Sequence, residues 1–161
     1  MEQFKTLTDV RDYIKQLECS EGQVLARPVP AGANPVFYRS CDVAKGTELV
    51  FGIQVRDFCF SNCRRWVLPH NQMGLSFSAN WQHLKSIYKL KASKNPGKTV
   101  DVYWVLEKAD IPPGFKFVPD QKDSRHYLLT VTEKMPVETL IKKLEWVADR
   151  LSIIRDASRA L

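Results

Sequence analysis

The chain has 161 residues, of which 44% are hydrophobic and 26% charged. That is enough apolar material for one compact core and too much for wholesale disorder. No apolar run approaches the roughly 20 residues that span a bilayer, and the net charge of +6 suits an anionic partner such as a nucleotide, an RNA or an acidic protein without choosing among them.

The opening MEQFKTLTDV lacks a basic segment followed by an apolar one, so a cleaved signal peptide is not expected. The expectation is a cytoplasmic protein, or one exported by a route that reads no such signal. Four cysteines occur, and Cys59 and Cys63 with His70 form one short ligand-like spacing. Zinc frameworks pair two such sets. With no second pair, no metal is expected, and buried, reduced thiols are.

Thr6 to Leu17 reads as a short amphipathic helix, with Leu7, Val10, Ile14 and Leu17 at helical spacing and Thr6 and Asp9 as a capping box. SEGQVLARPVPAGANP then brings three prolines and two glycines and reads as a loop. PVFYRS reads as a short strand, and ELVFGIQV as a longer one with Leu49, Phe51, Ile53 and Val55 on one face. NCRRWVLPHNQM reads as irregular. GLSFS is a strand that runs into a helix from Asn80 to about Lys91, followed by a loop marked by Pro96-Gly97. TVDVYWVLEK and RHYLLTVTE are strands, separated by the Pro-rich corner DIPPGFKFVPD, which leads into a short strand. From Pro136 to about Ala157 a single helix is predicted, with Val137, Leu140, Ile141, Leu144, Val147, Leu151 and Ile154 as its apolar stripe. No repeat and no second domain is visible. The fold class is α+β.

Four features bear on chemistry. In GLSFSANW, Ser78 reads either as a helix cap or as part of a ligand-facing turn; Ser76, on the same strand face, is not needed by the cap. Arg39 ends the apolar run Val36-Phe37-Tyr38 and offers a planar fork to phosphate or carboxylate, or else a surface ion pair. His126 opens a strand, where it faces a cleft or caps an edge. Lys85, Lys89, Lys91, Lys94 and Lys98 form either a solvated surface or a phosphate-contacting patch. Glu107, Asp110 and Glu133 supply carboxylates, but no spacing singles one out as a base.

Three segments resemble a known family. VFYRS resembles the arginine-bearing first strand of ADP-ribosyltransferases. GLSFSANW resembles their central serine-bearing strand, which turns into a helix beneath the nicotinamide pocket. ADIPPGFKFVPDQKDSRHYLLTV, followed by a helix, is similar to the C-terminal part of an ADP-ribosyltransferase-like toxin family that bacteria deliver through type VI secretion. The resemblance covers about Val36 to Arg150. It implies a single domain in which residues 1–35 form an N-terminal helix and loop and residues 36–161 form a core of split antiparallel sheets around an NAD-binding cleft.

By that resemblance Arg39 contacts a phosphate or ribose of NAD, Ser76 and Ser78 brace the nicotinamide ribose, and His126 stands at the cleft mouth. Arg39, Tyr38, Gly74, Phe77 and Trp81 are the implied cofactor-binding set, with Phe77 or Trp81 stacking on nicotinamide. The implied activity is ADP-ribosyl transfer or NAD hydrolysis, without a metal, in a toxin held in check by a cognate immunity protein. The family's catalytic glutamate has no evident counterpart, since Glu133 lies too far along its strand. The alternative is a non-catalytic module whose basic face binds RNA or an acidic protein. Under the first reading Arg39, Ser76 and His126 should line one cleft.

Overall fold

The structure is a computed structural model that describes residues 3–4, 8, 11–12, 15–16, 24–106 and 111–156. Most of the expected helix from Thr6 to Leu17, and both Glu107 and Asp110, lie outside the described residues; Thr8, Arg11, Asp12, Lys15 and Gln16 are helical. The fold is mixed α+β, as expected. None of the described helices is long and apolar enough to cross a membrane.

Twelve short strands are described: β1 (Gln3–Phe4), β2 (Val24–Pro30), β3 (Leu49–Val50), β4 (Ile53–Gln54), β5 (Cys59–Phe60), β6 (Trp66–Leu68), β7 (Leu75–Ser78), β8 (Val100–Leu106), β9 (Phe115–Pro119), β10 (His126–Val131), β11 (Met135–Pro136) and β12 (Ser152–Asp156). Two α-helices accompany them, α1 (Trp81–Lys94) and α2 (Val137–Arg150). The main sheet runs β1-β12-β8-β2-β7-β10-β9 and is antiparallel except for β1 against β12. β11-β6-β5 and β3-β4 form two smaller sheets.

Strand alternation gives the main sheet two apolar faces. On one, Val24, Ala26, Val100 and Val102 pack with Trp81, Leu84 and Tyr88 of α1, and Ile154 joins them. On the other, Leu25, Leu75, Phe77 and Leu129 pack against Leu140, Leu144 and Val147 of α2 and against Ile53, Phe58 and Val67 of the small sheets.

Six expectations are corrected. The Pro-rich stretch is not all loop: β2 lies inside the main sheet, paired with β8 from Val24↔Leu106 to Pro30↔Val100. Its prolines fit because of their parity. The Ala31 amide donates to the Thr99 carbonyl, so odd positions face β8 and the missing N–H groups of Pro28 and Pro30 fall on the opposite edge. Among the described residues that edge has no strand partner beyond Ala26.

Val36 to Arg39 is not a strand. The Asn34 side chain accepts hydrogen bonds from the amides of Val36 and Phe37, at 2.9 and 3.0 Å, and holds the segment in a local turn. ELVFGIQV is a hairpin rather than one strand: Phe51 and Gly52 both have positive φ, 50° and 87°, and form its two-residue turn. Phe51 is therefore 76% exposed rather than buried.

The C-terminal helix ends at Arg150, and β-branched Ile153 and Ile154 belong to β12, paired with β8. The thiol expectation also changes: Cys41 and Cys63 are exposed and Cys59 half-buried. Within NCRRWVLPHNQM, Trp66–Leu68 forms β6.

Candidate functional site

The serine-bearing turn is built as follows. β7 carries Ser76 and Ser78 on one face and Leu75 and Phe77 on the other. Gly74 precedes it because a Cβ there would sit 2.5 Å from the Leu129 carbonyl oxygen of β10; close strand approach, not a ligand, accounts for this glycine. Helix α1 is capped by Asn80, whose side chain accepts from the amides of Gln82 and His83 at 2.8 and 3.3 Å. Ser78 is therefore not the cap. It is 5% exposed, and its Oγ lies 2.6 Å from His83 Nδ1.

β2 and β7 share only the pairing Ala26↔Ser78. Beyond it a cleft of about 900 Å³ opens, within the ~300–1,000 Å³ common for small-molecule sites. Arg27 bridges the gap. Its Nη1 donates to the Ser76 carbonyl at 2.9 Å and its Nη2 to the Tyr38 hydroxyl at 3.0 Å. Its guanidinium lies 5.7 Å from the Phe77 ring centroid, and its Nε is buried with no hydrogen-bond partner among the described residues.

Tyr38, Ser76, Phe77, Ser78 and His126 all line this cleft, and Arg27 joins them. Phe77 is 1% exposed and packs edge-on against Phe117, with ring centroids 5.4 Å apart. Arg39, Gly74 and Trp81 are not among the lining residues. Trp81 is buried under α1 against the sheet.

Arg39 corrects the expectation that it lines the cleft with Ser76 and His126. With no strand to aim it, its guanidinium turns back to Asp42, with Nε at 2.7 Å from one carboxylate oxygen and Nη2 at 3.2 Å from the other. That pairing holds the Asp42 carboxyl below its ordinary range and raises Arg39 above its own.

Two carboxylates line the cleft, Asp42 and Asp57. Asp57 follows β4 in a single 3₁₀ turn, Val55–Asp57. Burial pushes its carboxyl up, against the opposing fields of Arg27 and Arg56. Glu133 is exposed and not among the lining residues. Lys91, Lys94 and Lys98, at and beyond the end of α1, also line the cleft; Lys85 and Lys89 do not.

Sequence reasoning missed Arg27, Asp57 and His83. The run Val24-Leu25-Ala26 before Arg27 is the same signal as Val36-Phe37-Tyr38 before Arg39. It was outweighed by the prolines that follow.

The lining brings together cationic donors (Arg27, Lys91, Lys94 and Lys98), two carboxylates (Asp42 and Asp57) and the hydroxyls of Tyr38, Ser76 and Ser78. It suits a ligand with anionic and hydroxyl-bearing parts. No protein-family model, curated protein or solved structure matches the chain.

Proposed function

We propose that this protein is an NAD-dependent ADP-ribosyltransferase-like toxin, acting as a transferase or NAD glycohydrolase in the cytoplasm of a target cell. Delivery by type VI secretion and restraint by a cognate immunity protein belong to the same reading. The observation that carries it is the convergence of Arg27, Tyr38, Ser76, Ser78 and His126 on one cleft at the parting of β2 and β7. On this reading the two sides of that parting are the two halves of a split sheet. Arg27 takes the part that the sequence suggested for Arg39.

NAD would supply a ribosyl carbon whose bond to nicotinamide breaks with build-up of positive charge. The protein's work is to clamp both ends and to stabilise that charge. Lys91, Lys94 and Lys98 attract the pyrophosphate electrostatically. Arg27, with donors beyond the two bonds that fix it, reads a phosphate or ribose oxygen. Ser76 and Ser78 hold ribose hydroxyls. Asp57, which lines the same cleft, takes the part of the carboxylate that faces the developing cation. The donors of Arg27, Ser76, Ser78, Lys91, Lys94 and Lys98, which line the same cleft, support the fit of an oxygen-rich ligand here.

Nicotinamide release, followed by chromatography of NAD incubated with the purified protein, tests this. Release that disappears in Arg27→Ala is expected; none from the wild type would contradict it. The second reading is a non-catalytic module whose basic face binds RNA or an acidic protein. The cationic wall of Lys91, Lys94 and Lys98 favours it. Salt-sensitive RNA binding with no nicotinamide release would select it.

A further inference from the structure

Two imidazoles stand side by side where β7 meets α1. His83, on the first turn of α1, and His126, the first residue of β10, have ring centroids 5.4 Å apart with planes inclined by 37°. Each has its own carboxylate. His126 Nδ1 is 2.8 Å from Asp120 Oδ2. His83 Nε2 is 4.0 Å from Asp123 Oδ2, and Arg125 holds Asp123 in place through two bonds of 3.0 and 2.9 Å.

The other nitrogen of His83 meets Ser78, 2.6 Å away. A neutral imidazole has one N–H and one acceptor nitrogen, and the partner of the first fixes the second. Asp123 at 4.0 Å is beyond hydrogen-bond reach, but its negative field favours a proton on Nε2; in that tautomer Nδ1 carries the lone pair and the Ser78 hydroxyl donates to it. A serine hydroxyl has one proton and two lone pairs. Once its proton is committed to His83, only its acceptor side is left for the cleft.

We propose that His83 is a positioning residue: its Nδ1 accepts the hydrogen bond of the Ser78 hydroxyl and so leaves the serine as an obligate acceptor for a hydroxyl of the ligand, a ribose hydroxyl in the reading above. The proposal rests on that reading only for the identity of the ligand.

A protonated His83 reverses the bond. Both ring nitrogens then donate, Nδ1–H points at Ser78 Oγ, and the serine proton turns into the cleft. The groups that face His83 are Ser78 from β7, His126 from β10, and Asp120, Asp123 and Arg125 from the turn before it. Burial first, and then the neighbouring His126, hold His83 below its ordinary range, with Asp123 opposing. The acceptor state is thus the one present at neutral pH, and acidification removes it.

The test uses the full chain labelled with ¹⁵N at histidine. At about pH 7.5, well above the ordinary histidine range, long-range proton–nitrogen spectra should show His83 as the Nε2–H tautomer, and Ser78→Ala should move its Nδ1 resonance. A His83 Nδ1–H tautomer, or no response to Ser78→Ala, would overturn the proposal. Calorimetric NAD binding by the wild type should weaken from about pH 7.5 toward pH 5.5 as His83 takes up a proton, by less than the roughly tenfold that one whole lost hydrogen bond would cost, because His83 is held below its ordinary value of 6.5. His83→Asn keeps an acceptor facing Ser78 but cannot titrate; it should bind as the wild type does at pH 7.5 and lose the pH dependence. His83→Phe should bind about tenfold more weakly at both pH values. A wild-type pH dependence that survives in His83→Asn overturns the proposal. If the wild type binds no NAD at all, the ligand reading falls, and the tautomer and its Ser78→Ala response still decide whether His83 orients Ser78.

Discussion

Ala26 and Ser78 form the single backbone pairing between β2 and β7, and the cleft begins where that pairing ends. The Ser76 carbonyl, two residues back along β7, is met by the Arg27 side chain instead of by a strand amide. A ladder position has thus been given up to a guanidinium. The consequence is a gap in the sheet that is held open and lined with donors.

Asn80 and Ser78 divide two tasks that the sequence left with one residue. Asn80→Ala should cost about 1 kcal/mol of stability, the usual loss for a helix cap, and leave ligand affinity unchanged. Ser78→Ala should reduce affinity with a smaller change in stability. Urea unfolding and calorimetry on both variants check this division.

Asp57 is held in the cleft wall against its desolvation. Asp57→Asn removes a half-buried charge whose desolvation is unfavourable, so the melting temperature should hold or rise while nicotinamide release falls by at least tenfold. A site residue kept at a cost to stability behaves this way. A fall in melting temperature with activity intact would reverse the assignment.

The folded-state depression of His83 has a definite sign in stability. Its ordinary value is 6.5. Below that the unfolded chain binds the proton before the native protein does, so stability present above about pH 6.5 is lost as pH falls toward the lower folded value. Asp120 and Asp123 are also depressed, and their contributions are lost further down, below the ordinary carboxylate range. Denaturant unfolding between about pH 7.5 and 5.5 should show declining stability in the wild type and a flatter profile in His83→Asn.

Leu144 is fully buried in the face of α2 that meets the main sheet. Leu144→Ala should cost about 2–5 kcal/mol. Circular dichroism melts check it, and an unchanged curve would remove α2 from the core.

What was legible in the sequence was local. The stripe Val137, Leu140, Leu144 and Val147 announces α2, because helical spacing is written in neighbouring residues. The strand-to-helix turn at GLSFSANW is announced by a change of period over eight residues. The stripe then ran on falsely through Ile154, since an apolar residue at helical spacing is equally at home in a strand. β2 was illegible for a different reason. Pro28 and Pro30 are tolerated because of which edge their nitrogens face, and that depends on β8, about seventy residues away. Arg27 and Ser76 are 49 apart in sequence, so no pattern within a window reveals that they meet. Arg39 looked equivalent to Arg27 because both end apolar runs. The difference lies in Asp42, three residues on, which binds Arg39, while Arg27 has only the gap before it. His83 was hidden in a helix whose polar residues read as a solvated face.

The most direct test of the central claim is calorimetric titration of NAD into the wild type, Arg27→Ala and Arg39→Ala, with thermal melts to establish that each is folded. The account predicts that the wild type and Arg39→Ala bind alike and that Arg27→Ala loses at least tenfold in affinity, since the donors that Arg27 keeps beyond its bonds to Ser76 and Tyr38 go with it, together with its charge. Absence of binding by the folded wild type, or binding that Arg39→Ala abolishes and Arg27→Ala does not, would contradict it.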